Sequence, residues 1–259
     1  MRVSLLVLLL GLYFTINVSA QVADTAYDVA ASKARRWENT GKILKRVGVP
    51  LTLVGVGLLG RQEGNMVCEA KEGVQARMRS AFPRFTAYGL DDYSRYAPLA
   101  MAYAMMATGR RGERTPVAFT LIYLMGHELD ATVVSNLKRE TAESRPYDAS
   151  LRNSFPSSHT SQAFLTATLL HEQYGRQYPW LSVSGYAVAT ATGAMRVLGN
   201  RHWVTDVLAG GAIGFLSAEA AWHIYPPLTR LLPDKLAHKL LLVPTYMPGG
   251  AGLLLAVQQ

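Results

Sequence analysis

The stretch Arg196-Val-Leu-Gly-Asn-Arg-His-Trp-Val-Thr-Asp206 sets an Arg, a His and an Asp at spacings that phosphoryl chemistry can use. His202 and Asp206 are four residues apart. On a helix such a pair shares one face, with side chains about 6 Å apart. A carboxylate there can hold one imidazole nitrogen as N–H and leave the other free as a nucleophile or a base. Taken alone, a helical His/Asp pair is more often a structural or solvated hydrogen bond. Its meaning depends on what else the chain brings to it.

Two upstream stretches carry matching chemistry. Lys138 and Arg145-Pro146 are separated by six residues. The lysine supplies a point charge, and the arginine a planar fork able to take two phosphate oxygens at once. Phe155-Pro-Ser-Ser-His-Thr160 then runs directly into an apolar stretch. A Pro-Ser-Ser-His sequence at a helix start aims backbone N–H groups and the positive end of the helix dipole at one point, a cradle for an oxyanion or a phosphate with His159 at its rim. Ser157-Ser158 by themselves would read equally well as a plain N-cap.

The elements that must position these residues read as helices. Ala26 to Val47 alternates apolar and basic residues as an amphipathic helix would, suited to an anionic membrane surface or to an ordinary solvated face. Leu51 to Gly60 reads as a short buried or interfacial helix, and Arg61 to Arg79, polar with glycines, as a loop or loose helix. Asp91 to Pro98 leads into a Met- and Ala-rich helix from Leu99 to Thr108. Pro116 opens a long helix through Leu137, because proline is favoured in the first helical turn. That helix carries His127, expected to be a hydrogen-bonded core residue rather than a site residue. Three more helices follow, Ser157 to Tyr174, Ser182 to Leu198 and Val204 to Tyr225, the last ended by Pro226-Pro227. Their glycines and alanines allow close helix approach. Segments around Pro248-Gly-Gly250 suit a short C-terminal β-hairpin. The fold class is all-α, with the chain divided at 1–20, 21–90, 91–225 and 226–259 into export signal, amphipathic and interfacial helices, catalytic core and tail.

Composition narrows the setting. The 259 residues carry a formal charge of +8 and are 49% hydrophobic, with mean hydropathy +0.10 and pI near 9.6. The charge points to anionic partners, lipid or phosphorylated substrate, and the lack of a basic run interleaved with aromatics argues against nucleic acid. Met1 to Ala20 has the layout of a cleavable export signal, a single Arg2, an apolar run and small residues before Gln21. Cys68 is the single cysteine, so no intramolecular disulfide forms. A membrane span needs about 20 predominantly apolar residues. No segment after the signal reaches this without an ionisable group, so the expectation is an outward-facing site on membrane-embedded or membrane-resting helices.

Together the three stretches form Lys-x6-Arg-Pro, Pro-Ser-x-His and Arg-x5-His-x3-Asp, in that order. This pattern resembles the type 2 phosphatidic acid phosphatase (PAP2) superfamily, which includes bacterial acid phosphatases and vanadium haloperoxidases. It covers roughly Asp91 to Tyr225, and the lead-in and signal look like exported members from Bacteroidetes-type bacteria, lipid A phosphatases among them. Ser158 replaces the usual glycine, and Met195 stands where a serine often precedes the arginine. Only nine residues separate Pro146 from Pro156, leaving little room for a covering loop.

The resemblance implies a bundle of about six core helices and a mechanism in which His202 attacks phosphorus, oriented by Asp206. Lys138, Arg145 and Arg196, with N–H groups near Ser157 and Ser158, would hold the phosphoryl oxygens, and His159 would protonate the leaving oxygen and then activate water. It implies neither a metal nor a cofactor. The expected substrate is a lipid phosphate, with lipid A, undecaprenyl diphosphate, phosphatidate and phosphatidylglycerol phosphate as candidates. Headgroup choice would fall to rim residues around Arg61 to Arg95 and Arg110 to Arg114. A soluble periplasmic acid phosphatase is the alternative, and a vanadium haloperoxidase or a binding protein with a retired site are remote ones.

Overall fold

The computed structural model describes residues 46–230, 240–247 and 250–257. The export signal expected over 1–20, and all but the end of the amphipathic helix expected over 26–47, lie outside the described residues. The first described helix, α1 (Arg46–Leu59), leads through a short turn into α2 (Met66–Ala81). This second helix occupies most of the stretch expected to be a loop or loose helix. Two devices stabilise it that polarity alone does not reveal. The Asn65 side chain accepts the Val67 and Cys68 N–H groups as an N-cap. Lys71 and Gln75 are buried against the rest of the fold instead of facing water.

Beyond α2 come the five-residue α3 (Leu90–Ser94) and α4 (Ala97–Ala107). Helix α5 (Pro116–Thr141) is capped by the Thr115 side chain and has proline in its first turn. It runs one turn past the expected end at Leu137 and stops where Ala142 adopts a left-handed φ of 44°, so Lys138 lies in its last turn. Then follow α6 (Ser158–Tyr174), α7 (Pro179–Leu198) and α8 (Val204–Arg230). Pro226 and Pro227 lie within α8 rather than ending it. Each forfeits one intrahelical bond, but the fixed φ of proline is itself helical, so the chain can carry the turn onward. The expected hairpin is present as β1 (Leu240–Met247) and β2 (Gly250–Val257), antiparallel, with Leu240 opposite Val257 and Met247 opposite Gly250.

Helix α6 is the hub, packing on α4, α5, α7 and α8. Its Leu165, Leu169, Leu170 and Tyr174 are sealed in a core with Phe119, Ile122, Leu181 and Trp222. Each such side chain contributes about 1.5–3 kcal/mol when fully buried. Two glycines bring α8 against α6. A Cβ at Gly210 would stand 2.5 Å from the Ser157 carbonyl oxygen, and one at Gly214 would overlap that of Ser161. The start of α6 and the start of α8 are thereby brought together, and both carry site residues. Helices α5 and α8 are long and apolar enough to cross a membrane; α5 is 28% buried over its most apolar window and α8 61%. Trp180, Val183 and Val117 are exposed on the outside of the bundle.

Candidate active site

The site assembles where four helix ends converge: the last turn of α5, the first turn of α6, the last turn of α7 and the first turn of α8. His202 sits in the short link between α7 and α8, with its backbone N–H on the Arg196 carbonyl at 3.2 Å. This folds the chain back so that His202 is only 2% exposed. Its Nδ1 lies 3.4 Å from Asp206 Oδ2. The same carboxylate oxygen accepts the Trp203 N–H at 2.9 Å and the Ser154 hydroxyl at 2.5 Å. With its acceptor oxygen held on two other donors, Asp206 cannot turn away from the ring. The proton is therefore kept on Nδ1 and the lone pair on Nε2.

Burial holds His202 well below the ordinary range of histidine, to about 4. The hydrogen bond and charge of Asp206 oppose this, and the charges of Lys138 and Arg196 reinforce it. The ring is neutral near pH 7, as a nitrogen nucleophile requires. Arg196 is buried in an ion pair with Asp91 of α3. That pair engages Nη1, while Arg196 Nε is buried without a hydrogen-bond partner among the described residues. An orphaned guanidinium N–H beside a neutral imidazole is a ready contact for an anionic oxygen.

The other cations are tethered through one loop residue. Lys138 Nζ donates to the carbonyl oxygens of Asn153 and Ser154, and Arg145 Nε donates to Asn153 Oδ1 at 2.7 Å. Asn153 thus fixes the spacing of the two charges. Ser158 opens α6, where the N–H groups of Ser158 and His159 precede the first intrahelical bond, Ser161 N–H to the Ser157 carbonyl. His159 Nε2 lies 2.6 Å from Asp92 Oδ1. Burial pulls His159 below the usual range, with Arg196 and Arg95 adding to the effect and Asp92 opposing it. Its partner Asp92 is held low chiefly by the His159 hydrogen bond.

The expected role of Ser157 is corrected. Its N–H donates to the Asp206 carbonyl at 3.0 Å, its hydroxyl caps Thr160 and pairs with the Thr160 hydroxyl at 2.9 Å, and it is fully buried. It fastens α6 to α8, and its backbone N–H, expected to face a phosphate, is taken by Asp206. The rim assignment of Arg110 to Arg114 is also corrected. That loop packs on the far end of α6, where the Glu113 N–H meets the Gln173 carbonyl at 3.1 Å and Gln173 Nε2 the Arg114 carbonyl at 2.8 Å. A 17-residue helix separates it from Ser157, about 25 Å at the α-helical rise. Arg61, placed on the rim, instead turns inward to Glu143 at 3.3 Å and to the Thr141 carbonyl.

The residues that sequence reasoning passed over are Ser154, Asn153, Asp91 and Asp92. The tandem Asp91-Asp92 was visible in the lead-in to α4, but nothing local says that its carboxylates reach Arg196 and His159. Helix α2 also contributes. Lys71 pairs with Glu143 at 2.6 Å and lies over the Trp203 ring, and Gln75 donates to the Val197 carbonyl and to Asn200. It thereby braces both loops that carry site residues. His127, set aside from the sequence, is stacked on Tyr123 and lies 3.3 Å from Gln162; it is half-buried rather than in the core.

The family model described as the PAP2 superfamily matches residues 128–230, the segment that carries every site residue except Asp91 and Asp92. The chain is also similar to a lipid A 1-phosphatase of Porphyromonas gingivalis, 39% identical over 147 residues. The alignment takes in 54% of this chain and 33% of the relative, so the chain spans about a third of that relative's length. The crystal structure of a transmembrane PAP2-type phosphatidylglycerolphosphate phosphatase from Bacillus subtilis aligns with a TM-score of 0.50 and 18% identity, covering 71% of this chain and 99% of that one. The helical fold of that phosphatase is therefore shared, as the family resemblance implied.

Proposed function

We propose that the protein is a metal-independent phosphatase that releases phosphate from a lipid phosphate through a phosphohistidine. The observation that carries the reading is a buried, neutral His202 held through Nδ1 by Asp206, beside an Arg196 whose Nε has no partner among the described residues. His202 Nε2 attacks phosphorus. The guanidinium of Arg196, Lys138, Arg145 and the first-turn N–H groups of α6 take up the charge on the equatorial oxygens. As the bond to the leaving oxygen breaks, protonated His159 gives that oxygen its proton. Neutral His159 then takes a proton from the water that hydrolyses the phosphoenzyme.

A lipid substrate and a membrane-associated enzyme are supported by the two span-length apolar helices and by the likeness to a lipid A 1-phosphatase. The lipids weighed are lipid A, undecaprenyl diphosphate, phosphatidate and phosphatidylglycerol phosphate. The similarity to the Porphyromonas gingivalis relative puts lipid A first. An export signal and an outward-facing site complete the proposal.

The test is phosphate release by purified protein in detergent against these lipids and a soluble monoester. His202→Asn, which keeps the shape but removes the attacking nitrogen, should abolish release from every substrate. Activity of the variant within about tenfold of wild type would overturn the mechanism. Preference for the soluble monoester would overturn the lipid assignment.

A further inference from the structure

The short helix α3 brings two adjacent carboxylates to the site, Asp91 buried and Asp92 exposed at its rim, and the second has no place in the mechanism described so far. Asp92 Oδ1 lies 2.6 Å from His159 Nε2. The helix that carries it is docked on α7 at two points, the buried Asp91–Arg196 ion pair and the Ser94 hydroxyl against that of Thr192 at 2.7 Å. The Asp92 N–H is held by the Gly89 carbonyl at 2.9 Å, and its own carbonyl accepts Arg95 Nε at 3.0 Å. Asp92 is thus presented to the imidazole by a fixed backbone. A carboxylate so placed selects which ring nitrogen keeps its proton and which works on the substrate.

We infer that Asp92 is the positioning residue of the general acid, holding His159 through Nε2–H so that Nδ1 is the nitrogen that gives the proton to the leaving oxygen and takes one back from water. The inference rests on the phosphatase reading above. In the first half-reaction the imidazolium loses its Nδ1 proton to the departing alkoxide and keeps the Nε2 proton on Asp92. In the second, the Nδ1 lone pair accepts the proton of the water that attacks the phosphohistidine, which restores the imidazolium. Three charged groups act on this ring: Asp92 of α3, Arg95 just after it, and Arg196 of α7. The two arginines favour the neutral ring and Asp92 alone favours the cation, so removing its charge leaves the acid with no opposing support.

The experiment compares wild type with Asp92→Asn and Asp92→Glu on two substrates. A long-chain alkyl phosphate has an alkoxide leaving group that needs a proton; p-nitrophenyl phosphate has one that does not. Asp92→Asn should lower kcat/KM, which reports only the steps up to departure of the leaving group, by about tenfold or more on the alkyl phosphate, while kcat/KM on p-nitrophenyl phosphate changes by less than about threefold. Asp92→Glu should recover part of the loss. Ring resonances of His159 followed by NMR in the intact protein should titrate about one pH unit lower in Asp92→Asn. Equal losses in kcat/KM on both substrates, a gain in activity, or an unmoved His159 titration would each overturn the assignment. Release that survives His202→Asn would instead overturn the phosphatase mechanism, and the His159 titration would still judge Asp92.

Discussion

Asp206 offers a sharp test, because asparagine and alanine should fail there by different amounts. Its Oδ2 faces three donors at once, the Trp203 N–H at 2.9 Å, the Ser154 hydroxyl at 2.5 Å and His202 Nδ1 at 3.4 Å. In Asp206→Asn the Trp203 N–H, a donor with no freedom to rotate, selects the amide orientation that keeps oxygen inward. His202 therefore retains its tautomer and loses only the negative charge beside the ring. Two unit charges 4 Å apart interact by about 4 kcal/mol at an effective dielectric constant near 20. The amide dipole replaces part of this, so the transition state, in which the ring becomes cationic, should lose about 3 kcal/mol, on the order of a hundredfold in kcat. In Asp206→Ala nothing holds the Nδ1 proton, and the loss should approach the ~10⁴-fold that follows when a triad histidine is left in the wrong tautomer. Alanine should also destabilise the fold by about 1–3 kcal/mol, because the Trp203 N–H loses its acceptor. Steady-state phosphate release by both variants, with thermal unfolding in the same detergent, measures each part. Equal losses within about threefold, or an Asp206→Asn enzyme as active as wild type, would refute the tautomer argument.

Two further outcomes follow from the same geometry. The pH profile of kcat/KM should be bell-shaped and acidic. His202 must be unprotonated, so the rate rises with pH through about 4, and His159 must be protonated, so the rate falls as pH rises through a value below the ordinary 6.5. A flat profile from pH 5 to 8 would contradict this. Gly214→Ala should cost about 1–3 kcal/mol by forcing α8 off the Ser161 carbonyl, seen as a lower unfolding temperature together with lost activity. A variant as stable as wild type would show that the close approach of the two helices is not required.

The helices and most of the site were legible in the sequence because both are written in local patterns. Pro116 in a first turn, the Ser157 N-cap and the small-residue faces of α6 to α8 act within a few residues of themselves, and so does the four-residue spacing of His202 and Asp206. The elements misread were those whose stability is borrowed from afar. Helix α2 looks polar and loose until Lys71 finds Glu143 and Gln75 finds the Val197 carbonyl, 72 and 122 residues along the chain. Arg61 and Arg110 to Arg114 looked alike as basic rim residues, yet packing turns the first inward and sends the others to the far end of α6.

What the sequence determined by itself is the inventory of reactive groups and the helices that carry them, because motif spacing and helix signals are short-range. What only the tertiary structure decided is which partner each group has. Ser157 gives its N–H to Asp206 and pairs its hydroxyl with Thr160, Arg196 gives one edge to Asp91 while its Nε has no partner among the described residues, and His159 is met by Asp92 from 67 residues away. Such pairings depend on where helix ends converge, set here by the contact of Gly210 and Gly214 with the first turns of α6. No local stretch of chain encodes that convergence.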